Sequence, residues 1–356
     1  MKPNKWFSKF RLFGAFQSDL GIDLGTSSTH IYLKGAGLVL SEPSMVAVNL
    51  RSDQVIAVGV KARAMWGKTP QNIAVIKPLV DGIVSDFEAA EKMLRYFFDS
   101  VKAINKGLLS RPRVVIGIPI EVTEVERKAV EDAAYSAGAR EVHLIEEPLA
   151  GALGARVNLD DCSGQLIVDF GAGTTEVAVI SLNGVVQAKS LRLAGNELDE
   201  AISQFIREEM NLAIGDQVAE DVKCHIGAVV PLETPVSYTV RGRDILTGLP
   251  REIELTDAHI RESILRPVRY LIEQIRATIE VTPPELVADI SSKGILLIGG
   301  GSQLLGLPDL LAHELKVPVS VAEDPMTCVV RGCGLIVENL EKYKDLLVQS
   351  TGPGSK

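Results

Sequence analysis

The chain has 356 residues, of which 46% are hydrophobic, and a formal net charge of −9. This length predicts two domains with filled apolar cores, and the acidic balance argues against a nucleic-acid binder, which needs a basic face. No apolar run reaches the roughly 18 residues of a transmembrane helix. The cysteines, Cys162, Cys224, Cys328 and Cys333, lack CxxC and zinc-site spacing, so we expect reduced thiols in a cytoplasmic protein.

The segment 1–16 combines basic and aromatic side chains. Its basic residues are Lys2, Lys5, Lys9 and Arg11, and Trp6, Phe7, Phe10 and Phe13 share an arc of about 120° on a helix. Lys9 and Arg11 interrupt the apolar stretch, which argues against a signal peptide; a disordered tail is the remaining alternative. The pattern predicts an amphipathic helix that lies in the plane of a membrane.

Residues 21–29 and 167–175 nearly repeat each other. Aligned without a gap, Asp23, Gly25 and Thr29 fall on Asp169, Gly171 and Thr175. In each stretch, apolar β-formers lead to an acid, a glycine and a turn of small residues. The apolar run that follows predicts the returning strand of a hairpin. We call these two segments the first hairpin and the second hairpin.

A pair of such hairpins suggests a binding site. Turns of Gly, Ser and Thr let backbone N–H groups and hydroxyls approach phosphate oxygens, and an Asp before the turn can hold hydrated Mg²⁺. One such hairpin alone is more often only a tight turn. Two of them, with an acid at the same position, predict a nucleotide held from both sides.

Strands and helices alternate along the rest of the chain. Hairpin strands are predicted at 46–50 and 55–58, buried strands at 114–119, 142–145 and 294–298, and helices at 87–101, 125–137 and 149–155. Residues 193–257 are more polar, as expected of an inserted smaller domain. Residues 282–285 have the sequence of a capping box that begins a helix. The alternation predicts a layered α/β fold in two halves.

The triple glycine at 299–301 has two interpretations. It is either a turn from strand to helix or a surface of bare backbone for a purine or its phosphate. Two other phosphate-binding signatures are excluded. Residues 62–69 begin with Ala62 where a P-loop needs glycine, and residues 171–176 lack the third glycine of a dinucleotide fingerprint.

The ordered set of motifs resembles the actin, Hsp70 and sugar-kinase superfamily. Within it, the sequence is similar to the MreB family of bacterial actin-like cell-shape proteins, from about Leu20 to about Glu338. The resemblance is carried by residues 21–26, 72–86, 144–148, 169–176, 282–286, 299–301 and 322–325. No single motif is sufficient to establish this resemblance; it depends on the whole ordered set.

The resemblance implies an actin-like, duplicated ribonuclease-H-like α/β fold, with the nucleotide in a cleft between two domains. The first domain would cover 17–155, with a smaller subdomain at 39–82 and a C-terminal return at 332–347. The second would cover 156–331, with a smaller subdomain at 193–257, and 348–356 would be a flexible tail.

The resemblance also assigns ATP and Mg²⁺ to the cleft and a role to each matching residue. The phosphate loops would be Gly25, Thr26, Ser27 and Ser28, and Gly171, Ala172, Gly173 and Thr174. The nucleoside would contact Glu220, Asp221, Val222 and Lys223, and Gly299, Gly300, Gly301, Ser302 and Gln303. Asp23 and Asp169 would hold Mg²⁺ largely through water. Glu147 would orient the attacking water with Thr174 as its helper, although Glu146 and Glu147 also fit an acid pair at a helix N-terminus.

The implied function is an ATPase of weak turnover that assembles with itself into filaments on the inner face of the cell membrane. Its other implied partners are wall-synthesis and cell-shape membrane proteins. Leu108 and Leu109, between Lys106 and Arg111, match a membrane-inserting loop of the family; alternatively they fold into the core. Two other functions stay open. One is a small-molecule kinase of the same superfamily, for which no catalytic Asp is evident, and the other is a filament scaffold that barely hydrolyses its nucleotide.

Both phosphate loops depart from the family pattern. The usual Thr-Ala-Asn is Thr26-Ser27-Ser28, and the usual triple glycine of the second loop is Gly171-Ala172-Gly173. Ala172 adds a methyl group near the phosphate and disfavours a positive φ. The expected consequence is a lower nucleotide affinity or turnover.

Overall fold

The chain builds two five-stranded sheets that share one strand order. The computed structural model describes residues 19–104 and 111–349. Its first half contains β1 (Asp19–Leu24), β2 (Ser28–Leu33), β3 (Gly37–Pro43), β4 (Val46–Asn49), β5 (Gln54–Val58), α1 (Val60–Met65), β6 (Ile73–Ile76), β7 (Leu79–Val80), β8 (Ile83–Val84), α2 (Phe87–Ile104), β9 (Arg113–Ile118), α3 (Glu124–Ala137), β10 (Glu141–Glu146) and α4 (Glu147–Gly154). The rest contains β11 (Gln165–Phe170), β12 (Thr175–Ser181), β13 (Gly184–Leu191), α5 (Gly195–Met210), β14 (Leu212–Ala213), α6 (Asp216–Ile226), β15 (Ser237–Asp244), β16 (Pro250–Thr256), α7 (Asp257–Glu280), α8 (Pro284–Lys293), β17 (Ile295–Ile298), α9 (Leu307–Leu315), β18 (Val319–Val321), α10 (Cys328–Glu338) and α11 (Leu340–Tyr343).

The strand orders show the duplication. The first sheet runs β10-β9-β1-β2-β3 and the second runs β18-β17-β11-β12-β13. In each sheet, three antiparallel strands form a meander, and two further strands lie parallel to the first strand of that meander. The first and second hairpins, β1–β2 and β11–β12, are therefore confirmed and occupy equivalent places in their sheets.

Besides the two-stranded sheet β7-β8 of the first half, each half also carries a three-stranded sheet. The first is β5-β4-β6, which includes the hairpin predicted at 46–58, and α1 packs against it. The second is β14-β15-β16, against which α6 packs. These elements lie in the segments for which the sequence predicts smaller subdomains.

The apolar core has three large parts, one in each half and one that joins them, and Met45, Ala47 and Ala62 form a fourth, small cluster. In the first half, β1, β2 and β9 bury their apolar side chains against α2 and α3. In the second half, β11, β12 and β17 do so against α5, α6, α7 and α9. The third part brings Val115 of β9, Ile167 of β11 and Ile336 of α10 together. The two sheets are thus connected by a continuous apolar layer.

Helices α4 and α10 cross with their backbones in contact. A Cβ added at Gly332 of α10 would lie 1.8 Å from the carbonyl oxygen of Ala150 in α4, and one added at Gly154 would lie 1.8 Å from the carbonyl oxygen of Cys328. No side chain fits at either glycine without moving a backbone. Because α4 leads from the first sheet to the second and α10 returns to the first, this crossing joins the halves.

The helix predicted to begin with a capping box has a different start. The N-cap of α8 is Pro283, with no side-chain capping bond. The Thr282 hydroxyl instead donates to the carbonyl oxygen of Thr278, 2.7 Å away in α7. The capping-box prediction was therefore wrong, because this hydroxyl satisfies the last turn of the preceding helix. The helices predicted at 87–101 and 125–137 are confirmed as α2 and α3.

Candidate functional site

The two hairpins turn in the same way. In the first, the Gly25 N–H donates to the Ser28 carbonyl oxygen over 3.1 Å, and in the second the Gly171 N–H donates to the Thr174 carbonyl oxygen over 3.0 Å. Two residues form each tip. Ser28 and Thr174 therefore stand at the same position, directly after the tip, and each offers a hydroxyl there.

Neighbouring segments fix each tip from behind. In the first hairpin, the Ser44 hydroxyl donates to the Gly25 carbonyl oxygen over 2.6 Å, and the Ser44 N–H donates to the Ser27 carbonyl oxygen over 2.9 Å. In the second hairpin, the start of α5 has this role, since the Asn196 N–H donates to the Ala172 carbonyl oxygen over 2.8 Å. Both tips are therefore held rigidly before any ligand binds.

The tips approach each other at the Asp81–Gly82 turn. The Gly82 N–H donates to Thr26 Oγ1 over 2.8 Å. A Cβ added at Gly173 would lie 2.4 Å from Thr26 Oγ1 and 3.0 Å from the Asp81 Cα. The structure thus brings the predicted phosphate loops together, and this close approach explains the glycine at 173.

Ala172 occupies the second tip without backbone strain. Its φ does not lie in the left-handed region. The penalty expected for a positive φ therefore does not arise, and only the added methyl group distinguishes this loop from one with three glycines.

We expect Ala172→Gly to bind nucleotide as tightly as the wild type, or more tightly, because no strain is relieved and only the methyl group is removed. The free energy of unfolding should fall by about 0.4–1 kcal/mol, since glycine gives the unfolded chain more freedom. Nucleotide titration and urea denaturation measure the two effects. Gly173→Ala is the matched control and should weaken binding, because its Cβ collides with Thr26. A clear loss of affinity in Ala172→Gly would show that the alanine itself is needed.

Two carboxylates face the tips. Asp23 is the penultimate residue of β1 and Asp169 the penultimate residue of β11, so the duplication places them symmetrically. Burial, followed by repulsion from Asp169, raises the pKa of Asp23 to about 8, and burial raises the pKa of Asp169 to about 7. Among the residues that the structure describes, no hydrogen bond offsets either shift.

These carboxylates fit a divalent cation. Two buried acids that repel each other are stabilised in their ionised form by a positive charge between them. Within 19–104 and 111–349, no three His, Cys, Asp or Glu side chains are grouped to bind a metal ion directly. A cation here would therefore keep much of its water, as Mg²⁺ does in many phosphate sites.

The shifted pKa values predict how stability depends on pH. Without nucleotide and metal, the folded protein keeps protons on Asp23 and Asp169 up to about pH 7–8, whereas the unfolded chain loses them near pH 4. The free energy of unfolding should therefore fall as the pH rises from about 5 to about 8. Urea denaturation across this range measures it. Asp169→Asn should flatten the dependence, and an identical slope in that variant would contradict the assignment.

Glu147 lies at the junction of β10 and α4, where Pro148 occupies the first turn of the helix. Burial raises its pKa well above the ordinary value, and repulsion from Glu176, Asp23 and Asp169 adds to the shift. A Cβ added at Gly117 would lie 3.3 Å from Glu147 Cγ, so the side chain packs on the end of β9. Glu147 thus belongs to the carboxylate group between the hairpins, which favours the catalytic interpretation over a simple acid pair at a helix end.

The predicted nucleoside residues on α6 have separate surroundings. Lys223 Nζ donates to the Gly195 carbonyl oxygen over 2.7 Å and pairs with Asp199 over 2.8 Å. Glu220 pairs with Arg63 Nη2 over 2.8 Å, which links α6 to α1 across the opening between the halves. Asp221 is half-buried.

Val222 is a predicted nucleoside-binding residue whose side chain cannot contact a ligand. It is fully buried in the apolar core of the second half. The structure therefore leaves only the backbone of Val222 for a ligand. Its neighbours Glu220 and Lys223 keep their polar groups at the cleft.

The triple glycine meets the end of β11. A Cβ added at Gly299 would lie 2.4 Å from Asp169 Oδ1, and one at Gly301 would lie 2.5 Å from the Phe170 ring. At Gly300 the nearest atom would be 3.9 Å away. A 3₁₀ turn follows at Gly300–Gln303, where Ser302 Oγ donates to the Gly299 carbonyl oxygen over 2.6 Å. Gly299 and Gly301 are thus needed for packing, and Gly300 is the open surface.

Several residues at the site were missed by sequence reasoning. They include Arg63, the Asp81–Gly82 turn, His30 and Glu176. For His30 and Glu176 a signal existed, because both stand seven residues after an Asp of the repeated motif. They lie across the strands from Asp23 and Asp169 respectively.

The predicted membrane contacts lie outside the described residues. They are Trp6, Phe7, Phe10 and Phe13 in the N-terminal segment, and Leu108 and Leu109 before β9. Across 19–104 and 111–349, no helix has both the length and the apolar character to cross a bilayer.

Comparison with known proteins gives consistent matches. The profile of the family described as MreB/Mbl protein matches residues 17–345. Cell shape-determining protein Mbl of Bacillus subtilis is 44% identical over 327 residues, which cover 92% of this chain and 98% of that protein. Cell shape-determining protein MreB of Escherichia coli is 45% identical over 341 residues, which cover 94% and 97%.

A solved structure matches in fold as well. The crystal structure of MreB5 of Spiroplasma citri bound to AMPPNP has a TM-score of 0.87 and 36% identity, covering 92% of this chain and 98% of that one. The same protein bound to ADP matches equally well. This likeness confirms the duplicated actin-like α/β fold predicted from the sequence.

Proposed function

The chain belongs to the MreB/Mbl family of cell shape-determining proteins, and from this premise we propose that it is an actin-like ATPase that binds Mg-ATP between its two hairpins. The observation that carries the proposal is the convergence of two equivalent tips, each preceded by an aspartate, of which Asp169 is buried and Asp23 partly buried. The AMPPNP and ADP complexes of MreB5 support a nucleotide in this fold.

Each residue of the site has a distinct proposed role. Backbone N–H groups and hydroxyls of the two tips bind the phosphates, and Asp23 and Asp169 hold the hydrated metal. Mg²⁺, when bound, neutralises the phosphate charge. Glu147 accepts a hydrogen bond from the attacking water, and Thr174 helps to align it.

The repulsion among these acids links metal binding to catalysis. Asp23 and Asp169 both raise the pKa of Glu147. A cation held by the aspartates offsets their charge, so Glu147 loses its proton more easily in the loaded site.

We further propose filament assembly and the domain limits given above, with 17–155 and 332–347 forming one domain and 156–331 the other. The filaments would lie on the inner face of the cell membrane through residues 1–16, Leu108 and Leu109. There they would organise cell-wall synthesis through contacts with membrane proteins of that machinery.

This function is tested by measuring phosphate release from ATP at protein concentrations below and above the one at which filaments assemble. Filaments on lipid, seen by electron microscopy, together with release that rises on assembly, would support it. Assembly with ATP bound but no release would identify a scaffold instead. Transfer of phosphate to an added sugar would identify a kinase, and failure to bind ATP would refute the proposal.

Membrane attachment gives a further prediction. Deleting residues 1–16 should weaken co-sedimentation with liposomes, and adding Leu108→Ser with Leu109→Ser should abolish it while ATP binding survives. Each of these membrane contacts binds weakly by itself. A filament presents many copies of them to one membrane, so its total affinity is much higher.

The matched control is Leu246→Ser with Leu249→Ser, which removes two leucines that are 77% and 64% exposed elsewhere on the surface. This control should bind liposomes like the wild type. Full liposome binding by the combined deletion variant, at low and high salt, would show that the membrane face is assigned wrongly.

A further inference from the structure

His30 is a buried polar residue of the first hairpin to which the proposed chemistry gives no role. It is 4% exposed, and its Nε2 lies 3.0 Å from Ser28 Oγ. Its other ring nitrogen, Nδ1, is buried and has no hydrogen-bond partner among the described residues. Burying a polar atom without a partner destabilises a protein. The contact between His30 Nε2 and Ser28 Oγ is therefore the interaction that can explain a histidine at this position.

The duplication places this pair beside the phosphates. His30 lies across the strands from Asp23, as Glu176 does from the aspartate of the second hairpin. Ser28 stands where the second hairpin has Thr174, directly after the tip. Ser28 is only half-buried. His30 thus contacts the hydroxyl that stands directly after the first tip, where the proposed function places a phosphate.

The surroundings of His30 decide which nitrogen carries its proton. Burial lowers its pKa, against a smaller opposing effect of Asp324, so the ring is neutral. A hydrogen on Nδ1 would be buried without an acceptor, which is rarer than an unpaired acceptor. With its hydrogen on Nε2, the ring donates to Ser28 Oγ. The hydrogen of the Ser28 hydroxyl is then directed away from the ring.

We propose that His30 is a positioning residue for nucleotide binding, which holds the Ser28 hydroxyl so that it donates its hydrogen to a phosphate oxygen. This inference rests on the proposed function, because it needs a phosphate between the hairpins. A donor that is already oriented loses less freedom on binding. Its hydrogen bond to a charged phosphate is stronger than one between neutral groups.

The test compares the binding of ATP, ADP and adenosine to the full chain and its variants. His30→Leu and Ser28→Ala should each lower the affinity for ATP and for ADP about tenfold, which is the scale of one hydrogen bond to a charged group. The affinity for adenosine should not change. The double variant should bind no more weakly than either single one, since both act through one contact. His30→Gln, whose amide N–H₂ can replace Nε2–H, should retain most of the affinity.

Stability separates positioning from a structural role. His30→Leu removes an unpartnered nitrogen from the core, so it should resist urea at least as well as the wild type. Tyr32→Phe is the matched control on the same strand, because its hydroxyl bonds to Glu338 at the surface, 3.3 Å away. It should bind all three ligands like the wild type.

The outcomes distinguish the two proposals. If the wild type binds neither ATP nor ADP, the proposed function fails and this inference fails with it. If the wild type binds them, the inference is wrong when His30→Leu and Ser28→Ala keep full affinity for ATP. It is also wrong when the double variant loses the sum of the two binding free energies, or when the affinity for adenosine falls to the same extent. Should His30→Leu not fold, Ser28→Ala with full ATP affinity, or His30→Gln with a tenfold loss, would overturn it.

Discussion

Glu147→Ala should yield a protein that still binds ATP but hydrolyses it on the order of 10² times more slowly. Phosphoryl transfer to water depends on orienting the attacking molecule, and Glu147 is the carboxylate that packs on the end of β9 between the hairpins. Single-turnover phosphate release, measured beside equilibrium ATP binding, separates the two effects.

Glu146→Ala is the matched control for this experiment. Glu146 is the adjacent acid, at the N-cap of α4, and its side chain makes no capping bond. Its removal should leave turnover close to that of the wild type. Glu147→Ala should also fold well, because it removes a buried carboxylate that three neighbouring acids repel. Unchanged turnover in Glu147→Ala would exclude Glu147 from the mechanism.

Asp169→Ala should weaken Mg-ATP binding about 10–100-fold, the usual loss when a group that supports a metal is removed. Asp23→Ala should behave alike, because the two aspartates hold equivalent places at the ends of β1 and β11. Titration with ATP in the presence of Mg²⁺ measures the effect.

Binding of ATP in EDTA provides the control for both aspartate variants. Without metal the two acids have no cation to hold, so each variant should bind metal-free ATP about as well as the wild type. Normal Mg-ATP binding by either variant would refute the metal site. A loss that is equal with and without metal would show damage to the hairpin instead.

The hairpins and their acids could be predicted from the sequence because they are local features. An acid, a glycine, two tip residues and a returning strand are contiguous, and their repetition at Asp23 and Asp169 marks both as parts of one site. The role of Glu147 was assigned through the family resemblance, because the local sequence predicts only a strand that ends beside it and a helix that begins at Pro148.

Contacts between distant segments could not be predicted in this way. The Asp81–Gly82 turn meets Thr26 only in the folded chain, and the pairing of Arg63 with Glu220 joins α1 and α6, which are distant in sequence. The capping box at Thr282 failed for a related reason, because the end of α7 competes for the same hydroxyl. Such competition depends on geometry rather than on residue type.

The place of α10 has a consequence for biosynthesis. A Cβ added at Gly21 of β1 would lie 2.6 Å from the Gly334 nitrogen, so α10 covers the first strand at backbone distance. A ribosome makes β1 long before α10, and the face of the nascent first sheet that α10 covers therefore stays exposed until α10 is made. The core of the second half, from Leu166 to Leu311, needs no residue of α10 and can condense while synthesis continues. The half of the protein that is translated first is thus the last to be completed.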